Sequence, residues 1–393
     1  MSAALLAALL LASGARAAPA DAFLASEAVA AREVQGPLPA DPSDAFWEAI
    51  PATEMAAAPQ RTLRLNDRRA NEAMAAAGPR KLSVRAAFDG RDLAVAVDWD
   101  DAAEDRGRPD ATDAYGDAAA LEIPERFGAG VRLPYVGMGD EGHPVTISMV
   151  RAGAEGPVAR EAVARGFGSL ARADTAGSRA AMRYDRARRA WRAVFLRPLL
   201  AGARDLRRGL VPFALAVWDG SRLERGGNKA LTRWKFLRLE RYSLDQAYLE
   251  EMAWGFGTEG RADLARGKVL VEGVCVACHS VGQRRAPVAD LAPDLSAVGA
   301  IATPGYLRDS LLDPSAVMVP SPNPARHQDR SRAPGVAGPY PPNEGFAWSR
   351  RDDSGKAVSK MPAYAGLPRP DLEAIVAYLM TLGAPAPGEE RKP

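Results

Sequence analysis

Leu82-Ser-Val-Arg-Ala-Ala-Phe88, Asp89-Gly90 and Leu93-Ala-Val-Ala-Val-Asp-Trp99 read together as a β-hairpin. Two apolar runs flank a Gly-containing turn, the arrangement that lets a chain reverse between paired strands. Outward from this hairpin, strand-like runs occupy 118–123, 145–150, 190–196, 212–218 and 234–239, with turn residues between them. Several short strands punctuated in this way predict a β-sandwich. The Gly-rich segment 134–144 and the polar segment 220–231 are its loops.

From about residue 245 the pattern turns helical. Residues 264–271 have helical spacing, Pro304 opens a short helix through Leu312, and 371–382 is amphipathic. In that last segment Leu372, Ile375, Val376 and Leu379 fall at i, i+3, i+4 and i+7, on one face of a helix. The Pro-, Ser-, Asn- and Arg-rich stretch 314–360 reads as a long loop. The expected organisation is therefore multidomain. An N-terminal all-β sandwich spans 18–250 and a C-terminal all-α domain spans 258–386, with the boundary near 255–261.

The chain has 393 residues, 47% hydrophobic and 25% charged, enough apolar material for two cores. A net charge of +2 supplies no broad positive field, so nucleic acid is not an expected partner. The N-terminus reads as an export signal over 1–17. The apolar run 3–12 is too short to span a bilayer and leads to the A-x-A site Ala15-Arg16-Ala17, although no Lys or Arg precedes it. A periplasmic location follows as an expectation. Arginine-rich 179–208 reads as a solvated face.

Only two cysteines are present, both in Cys275-Val-Ala-Cys278-His279, and the three histidines are His143, His279 and His327. C-x-x-C-H is the attachment signature of haem c: two thiols bond the vinyl groups and the adjacent imidazole meets the iron. A zinc site lacks a second Cys pair, and a redox dithiol lacks its usual βαβ setting. The chain has no G-x-S-x-G, H-E-x-x-H or phosphate-loop pattern, so those hydrolytic and nucleotide chemistries are not expected. The adjacent carboxylates Asp100 and Asp101 follow a strand end and read as turn chemistry.

The region around the motif resembles class I bacterial cytochromes c. Ala292-Pro293-Asp294-Leu295 lies where that family places a proline against the proximal histidine. Lys360-Met361-Pro362-Ala363-Tyr364 precedes the last helix, as the methionine-ligand loop does there. The resemblance implies Cys275, Cys278 and Pro293 as haem c-binding residues. It implies His279 and Met361 as iron ligands, with Met318 and His327 as rivals to Met361. A Met/His pair raises the reduction potential and leaves no open site.

Two loops carry a second resemblance. One is Pro134-Tyr-Val-Gly-Met138-Gly-Asp-Glu-Gly142-His-Pro144, and the other runs from Trp218-Asp-Gly220 through Glu224-Arg-Gly226-Gly227-Asn-Lys229 to Trp234. Together they resemble the haem b-binding γ subunit of ethylbenzene dehydrogenase and its dimethylsulfide dehydrogenase, selenate reductase and chlorate reductase relatives. That family implies a β-sandwich holding one non-covalent haem b through a methionine and a lysine, here Met138 and Lys229. His143 and Met149 are the alternative ligands. The family implies no catalysis in this chain. It implies electron transfer with the catalytic and iron–sulfur subunits of a molybdenum enzyme of the dimethyl sulfoxide reductase group on one side. On the other stands a soluble cytochrome or a membrane quinol-linked complex. Two other classes stay open: a haem enzyme or sensor with a labile axial site, and a monohaem cytochrome c joined to a non-haem binding module.

Overall fold

The computed structural model describes residues 19–62, 67–108, 113–140, 142–166, 169–173, 175–201, 204–257, 262–288, 291–317, 348–354 and 357–383. The expected export signal, Met318 and His327 lie outside the described residues.

The hairpin forms as read: Arg80–Phe88 pairs antiparallel with Asp92–Asp100, Val84 opposite Val97. It lies within a thirteen-stranded, mostly antiparallel hydrogen-bonded path. One arm runs Ala171–Ala173, Gly156–Ala164, Val145–Gly153, Ala118–Pro124, Leu210–Trp218; the other runs Thr53–Pro59, Arg80–Phe88, Asp92–Asp100, Ala190–Pro198, Arg179–Asp185. Ala28–Glu33 pairs parallel with both Lys235–Leu239 and Arg80–Phe88, a long-range pairing that local pattern does not reveal. The two arms face each other, because Val95, Val97 and Phe195 of one share a core with Leu121, Val150 and Val217 of the other. This is the expected sandwich, with both layers built from period-2 alternation.

Leu210–Trp218 is buried at every position, as a strand covered on both faces must be. Its alternate side chains serve different clusters. Leu215 and Val217 enter the sandwich core, whereas Ala214, Ala216 and Trp218 face outward. Register puts Ala216 opposite Ala120 and Ala214 opposite Glu122, and Glu122 in turn opposite Ile147. The outer face of this arm is therefore paved with alanines (Ala118, Ala120, Ala214, Ala216) and walled by Trp218 and Trp234. The sandwich core beneath uses Leu, Val and Phe.

The C-terminal region is helical: Leu264–Val274, Val298–Ile301, Pro304–Leu312 and Arg369–Met380. Leu372, Ile375, Val376 and Leu379 are all buried against Val271, Leu307 and Leu311, so the amphipathic reading of the last helix holds. Helices Leu264–Val274 and Arg369–Met380 touch at Gly267, where a Cβ would stand 2.0 Å from the Ala374 carbonyl oxygen; only glycine allows that approach. Within the expected loop, Ser349–Arg351 and Ala357–Ser359 form a short antiparallel pair.

The two regions are packed together. Helix Gln246–Phe256 places Tyr248, Leu249 and Met252 in the sandwich core. Arg308 of the cytochrome side forms a buried pair with Glu373 (2.7 and 2.8 Å) and donates to the Gly257 carbonyl (2.7 Å). Ile301, from the C-terminal region, packs into the outward cluster of the sandwich. The arginine-rich stretch is not uniformly solvated. Arg197 is 1% exposed and pairs with Glu161 at 2.8 Å, a partner supplied by strand Gly156–Ala164 of the other arm.

Candidate haem-binding sites

Asp263 caps the helix that leads into the cysteine motif, its carboxylate accepting from the Arg266 amide (2.9 Å). The helix tightens into a 3₁₀ turn at Cys275–Ala277, and the amides of Cys278 and His279 both return to the Cys275 carbonyl (3.1 and 2.8 Å). This turn delivers Cys275, Cys278 and His279 to one cavity. Met361 lines the same cavity, with Leu295, Leu311 and Tyr364 as apolar wall. Its loop is fixed by the Met361 amide on Ser359 Oγ (3.1 Å), and by the Tyr364 amide on the Leu311 carbonyl (2.7 Å).

His279 Nδ1 lies 2.7 Å from the Pro293 carbonyl oxygen. A carbonyl only accepts, so Nδ1 carries the proton and Nε2 keeps its lone pair free for a metal. Burial lowers the His279 pKa, which favours the neutral imidazole. Burial also pushes the Cys275 thiol up to about 11, the opposite of what a redox dithiol needs. The structure thus brings together all five residues expected from the motif and its resemblance: Cys275, Cys278, His279, Pro293 and Met361.

The second pair of expected ligands lies on the alanine-paved face. Met138 occupies a turn closed by the Gly139 amide on the Tyr135 carbonyl (2.9 Å). Met138 itself has φ +84°, a conformation that costs a non-glycine residue on the order of 1–3 kcal/mol. Gly139 follows at φ +68°, where a Cβ would sit 2.7 Å from the His143 carbonyl oxygen. The Lys229 carbonyl accepts from the Gln60 amide (2.9 Å). The residue is 5% exposed, with Nζ 5.3 Å from the centre of the Trp218 ring. Burial lowers the Lys229 pKa, against the opposing pull of Glu122.

Glu122 joins the two. The Met138 amide donates to its carboxylate, and Lys229 is its charged neighbour. Burial pushes Glu122 up to about 8. Its Oε1 has no hydrogen-bond partner, nor has either side-chain heteroatom of the buried Asn228 beside Lys229. Of the alternatives, His143 is tied by Nδ1 to Asp140 Oδ1 at 2.8 Å, and Met149 packs in the same outward cluster as Met138. Sequence reading missed Glu122, although a lone carboxylate within the apolar run Ala118-Ala-Ala-Leu-Glu122-Ile is a visible signal. It also missed Tyr135 and Tyr306, whose rings meet across the two regions at 5.7 Å.

Residues 264–383 match the Cytochrome c protein family. Chlorate reductase subunit gamma of Ideonella dechloratans is 31% identical over 204 residues, which are 51% of this chain and 79% of that protein. This chain belongs to the chlorate reductase gamma subunit family. A protein of Haloferax mediterranei named for the heme subunit of respiratory nitrate reductase (ORF7) is 29% identical over 202 residues, 50% of this chain and 67% of that one. The gamma-subunit match and the cytochrome c match together describe a haem subunit carrying a cytochrome c domain. A carbohydrate binding module of family 9 from Caldicellulosiruptor kristjanssonii, solved with glucose, covers 56% of this chain and 98% of its own at 8% identity and a TM-score of 0.31. A likeness of that size carries no argument. Among the described residues no helix is long and apolar enough to cross a membrane.

Proposed function

We propose that this gamma-family chain is an exported two-haem electron-transfer subunit. Cys275 and Cys278 hold haem c covalently, and His279 and Met361 are its iron ligands. Met138 and Lys229 hold a non-covalent haem b on the outer face of the sandwich. The observation that carries the second site is a buried junction. Glu122 meets both Met138 and Lys229 above a floor of alanines, and three buried polar atoms there lack partners. Small residues leave room for a flat macrocycle, and unpartnered buried polar atoms normally indicate a missing neighbour. The strained backbone at Met138 points the same way, since such strain persists where a side chain has a task.

The groups, when bound, supply one-electron chemistry. The protein's part is to hold and tune them. Pro293 fixes the His279 tautomer and ring direction. Met361 and His279 would both hold the haem c iron, which would supply electron transfer there without bond making. Glu122 anchors the Met138 turn by accepting from its amide and neighbours Lys229, whose neutral amine would be the form that holds the iron.

The relatives are named for chlorate and nitrate reductases. On that ground the partners are the iron–sulfur and catalytic subunits of a molybdenum oxidoreductase of the dimethyl sulfoxide reductase group. A soluble cytochrome or respiratory-chain complex completes the relay from the periplasm, and this chain performs no substrate chemistry.

Acid–acetone extraction followed by the pyridine haemochrome assay tests the reading. One extractable haem b and one covalent haem c per chain are expected. No extractable haem b removes the second site. Lys229→Ala is expected to strip haem b and leave haem c unchanged; a wild-type haem b spectrum in that variant removes Lys229 as ligand. Rapid carbon monoxide binding by the reduced protein at either iron would count against saturated, relay-only sites.

A further inference from the structure

We infer that Tyr135 and Tyr306 form the bridge by which an electron crosses between the two haem sites. The inference rests on the two-haem reading and adds the route between them.

Tyr135 belongs to the loop of the first site. It lies three residues before Met138, and its carbonyl closes the turn that carries Met138. The ring lines the cavity shared by Cys275, His279 and Met361. The phenol is buried and meets Thr62 Oγ1 at 3.2 Å, which fixes the ring in place. Tyr306 approaches from the other region. It sits in the first turn of helix Pro304–Leu312, where Thr303 Oγ1 accepts from its amide (3.1 Å). Tyr306 packs against the buried core of the cytochrome region and lines the same cavity as Cys275 and Met361. The two ring centres are 5.7 Å apart with planes tilted 41°, ordinary contact for an aromatic pair.

The contact is also held from outside. Ile301, five residues before Tyr306, is buried among Trp218, Trp234 and Val136 of the first site. Arg132, three residues before Tyr135, pairs with Asp309, three residues after Tyr306 (3.5 Å). The loop of one site and the helix of the other are thus pinned on both flanks of the ring pair. A close-packed path conducts better than a gap, because an electron tunnels more readily through packed atoms than across empty space.

In the transfer one ferrous iron is oxidised and the other, ferric, is reduced; one electron moves and no bond forms or breaks. The tyrosines are not themselves oxidised. Burial raises both phenol pKa values, that of Tyr135 to about 12, so neither phenol readily gives up the proton that oxidation requires. The rings act as packed medium and as spacers that set the distance.

Pulse reduction of the full-length holoprotein, followed at the separate haem b and haem c absorption bands, tests this. Tyr306→Leu and Tyr135→Leu, with both haems still bound, are expected to slow redistribution between the haems several-fold beyond what their measured reduction potentials account for. Tyr306→Phe and Tyr135→Phe keep the ring and are expected to keep the rate. Leucine variants that fold, hold both haems and transfer at the wild-type rate overturn the bridge alone. Phenylalanine variants as slow as the leucine variants overturn it too, since the phenol and not the ring would then matter. Wild-type protein without haem b overturns the two-haem reading along with it, and that is seen before any variant is made.

Discussion

The cysteine site and the lysine site differ in how their parts are distributed. Cys275, Cys278 and His279 lie on one turn of one helix end, and the Pro293 carbonyl orients the imidazole from nearby in the chain. Met138 and Lys229 come from separate loops and are related only through Glu122, which neighbours both from strand Ala118–Pro124. On the proposed reading, local geometry sets the first site and covalent bonds would secure its haem. The second would depend on a correct long-range sheet register and would hold its group by ligation and packing. Local sites tolerate errors elsewhere in the fold; assembled sites inherit them.

The largest expected effect breaks the first site alone. Cys275→Ala with Cys278→Ala should abolish covalent haem on a haem-stained denaturing gel while extractable haem b stays. Loss of both haems would show that the sites are not independent.

A smaller effect is expected at the Arg308–Glu373 clasp between helices Pro304–Leu312 and Arg369–Met380 of the C-terminal region. Glu373→Gln leaves the Arg308 guanidinium buried without its counter-charge, and breaking such a pair costs about 3–5 kcal/mol. Calorimetry should show the cytochrome region melting earlier. An unchanged melting profile would mean that the clasp contributes nothing.

One part of the pH dependence should come from an acidic cluster of the sandwich that lies outside both haem sites. Burial pushes Asp101 up to about 6 and Asp117 up to about 7, and the two lie with Asp105 in one cluster. A carboxyl whose folded pKa is raised binds protons more tightly in the native state. Its contribution is full below about pH 4 and is lost as pH rises through about 6 to 7. Asp101→Asn should flatten the fall in stability between pH 4 and 7 by up to about 3 kcal/mol, read from denaturant midpoints at each pH. An Asn variant with the same slope as wild type would rule out Asp101 as the source.

The smallest effect sharpens the contrast most. Met138→Gly relieves the left-handed backbone and should stabilise the haem-free protein by about 1 kcal/mol while weakening haem b retention. A variant that is destabilised and retains haem b would show that the strain serves neither purpose.

Legibility in the sequence follows the same division. The C-x-x-C-H motif could be read because its chemistry is compressed into five adjacent residues, and Met361 because it stands before a strongly periodic helix. The hairpin at 82–99 was visible because both strands and their turn are local. The parallel pairing of Ala28–Glu33 with Lys235–Leu239 was not, since its partners are separated by most of the sandwich. Gly156–Ala164 was missed because much of it is exposed and lacks an apolar alternation. Arg197 looked like surface charge because burial of an arginine is decided by its partner, Glu161, on a different strand. Asp101 was read as a turn residue, and its carboxylate does accept from the Ala103 amide (3.1 Å). The reading did not reach its burial among other acids. Met138 and Lys229 were reached through resemblance and not through spacing.

The strand Leu210–Trp218 divides its side chains between two clusters. Two selection pressures therefore act on alternate letters of one short word. Changes at Leu215 and Val217 are judged by whether the protein folds; with haem b bound as proposed, changes at Ala214 and Ala216 would be judged by how near a flat ligand can lie to the backbone. An alanine-rich genome would hide the second pressure in a simple count of residue types. It should reappear in homologues from genomes of other composition, as small residues retained at every second position of this strand while the positions between drift among larger apolar ones.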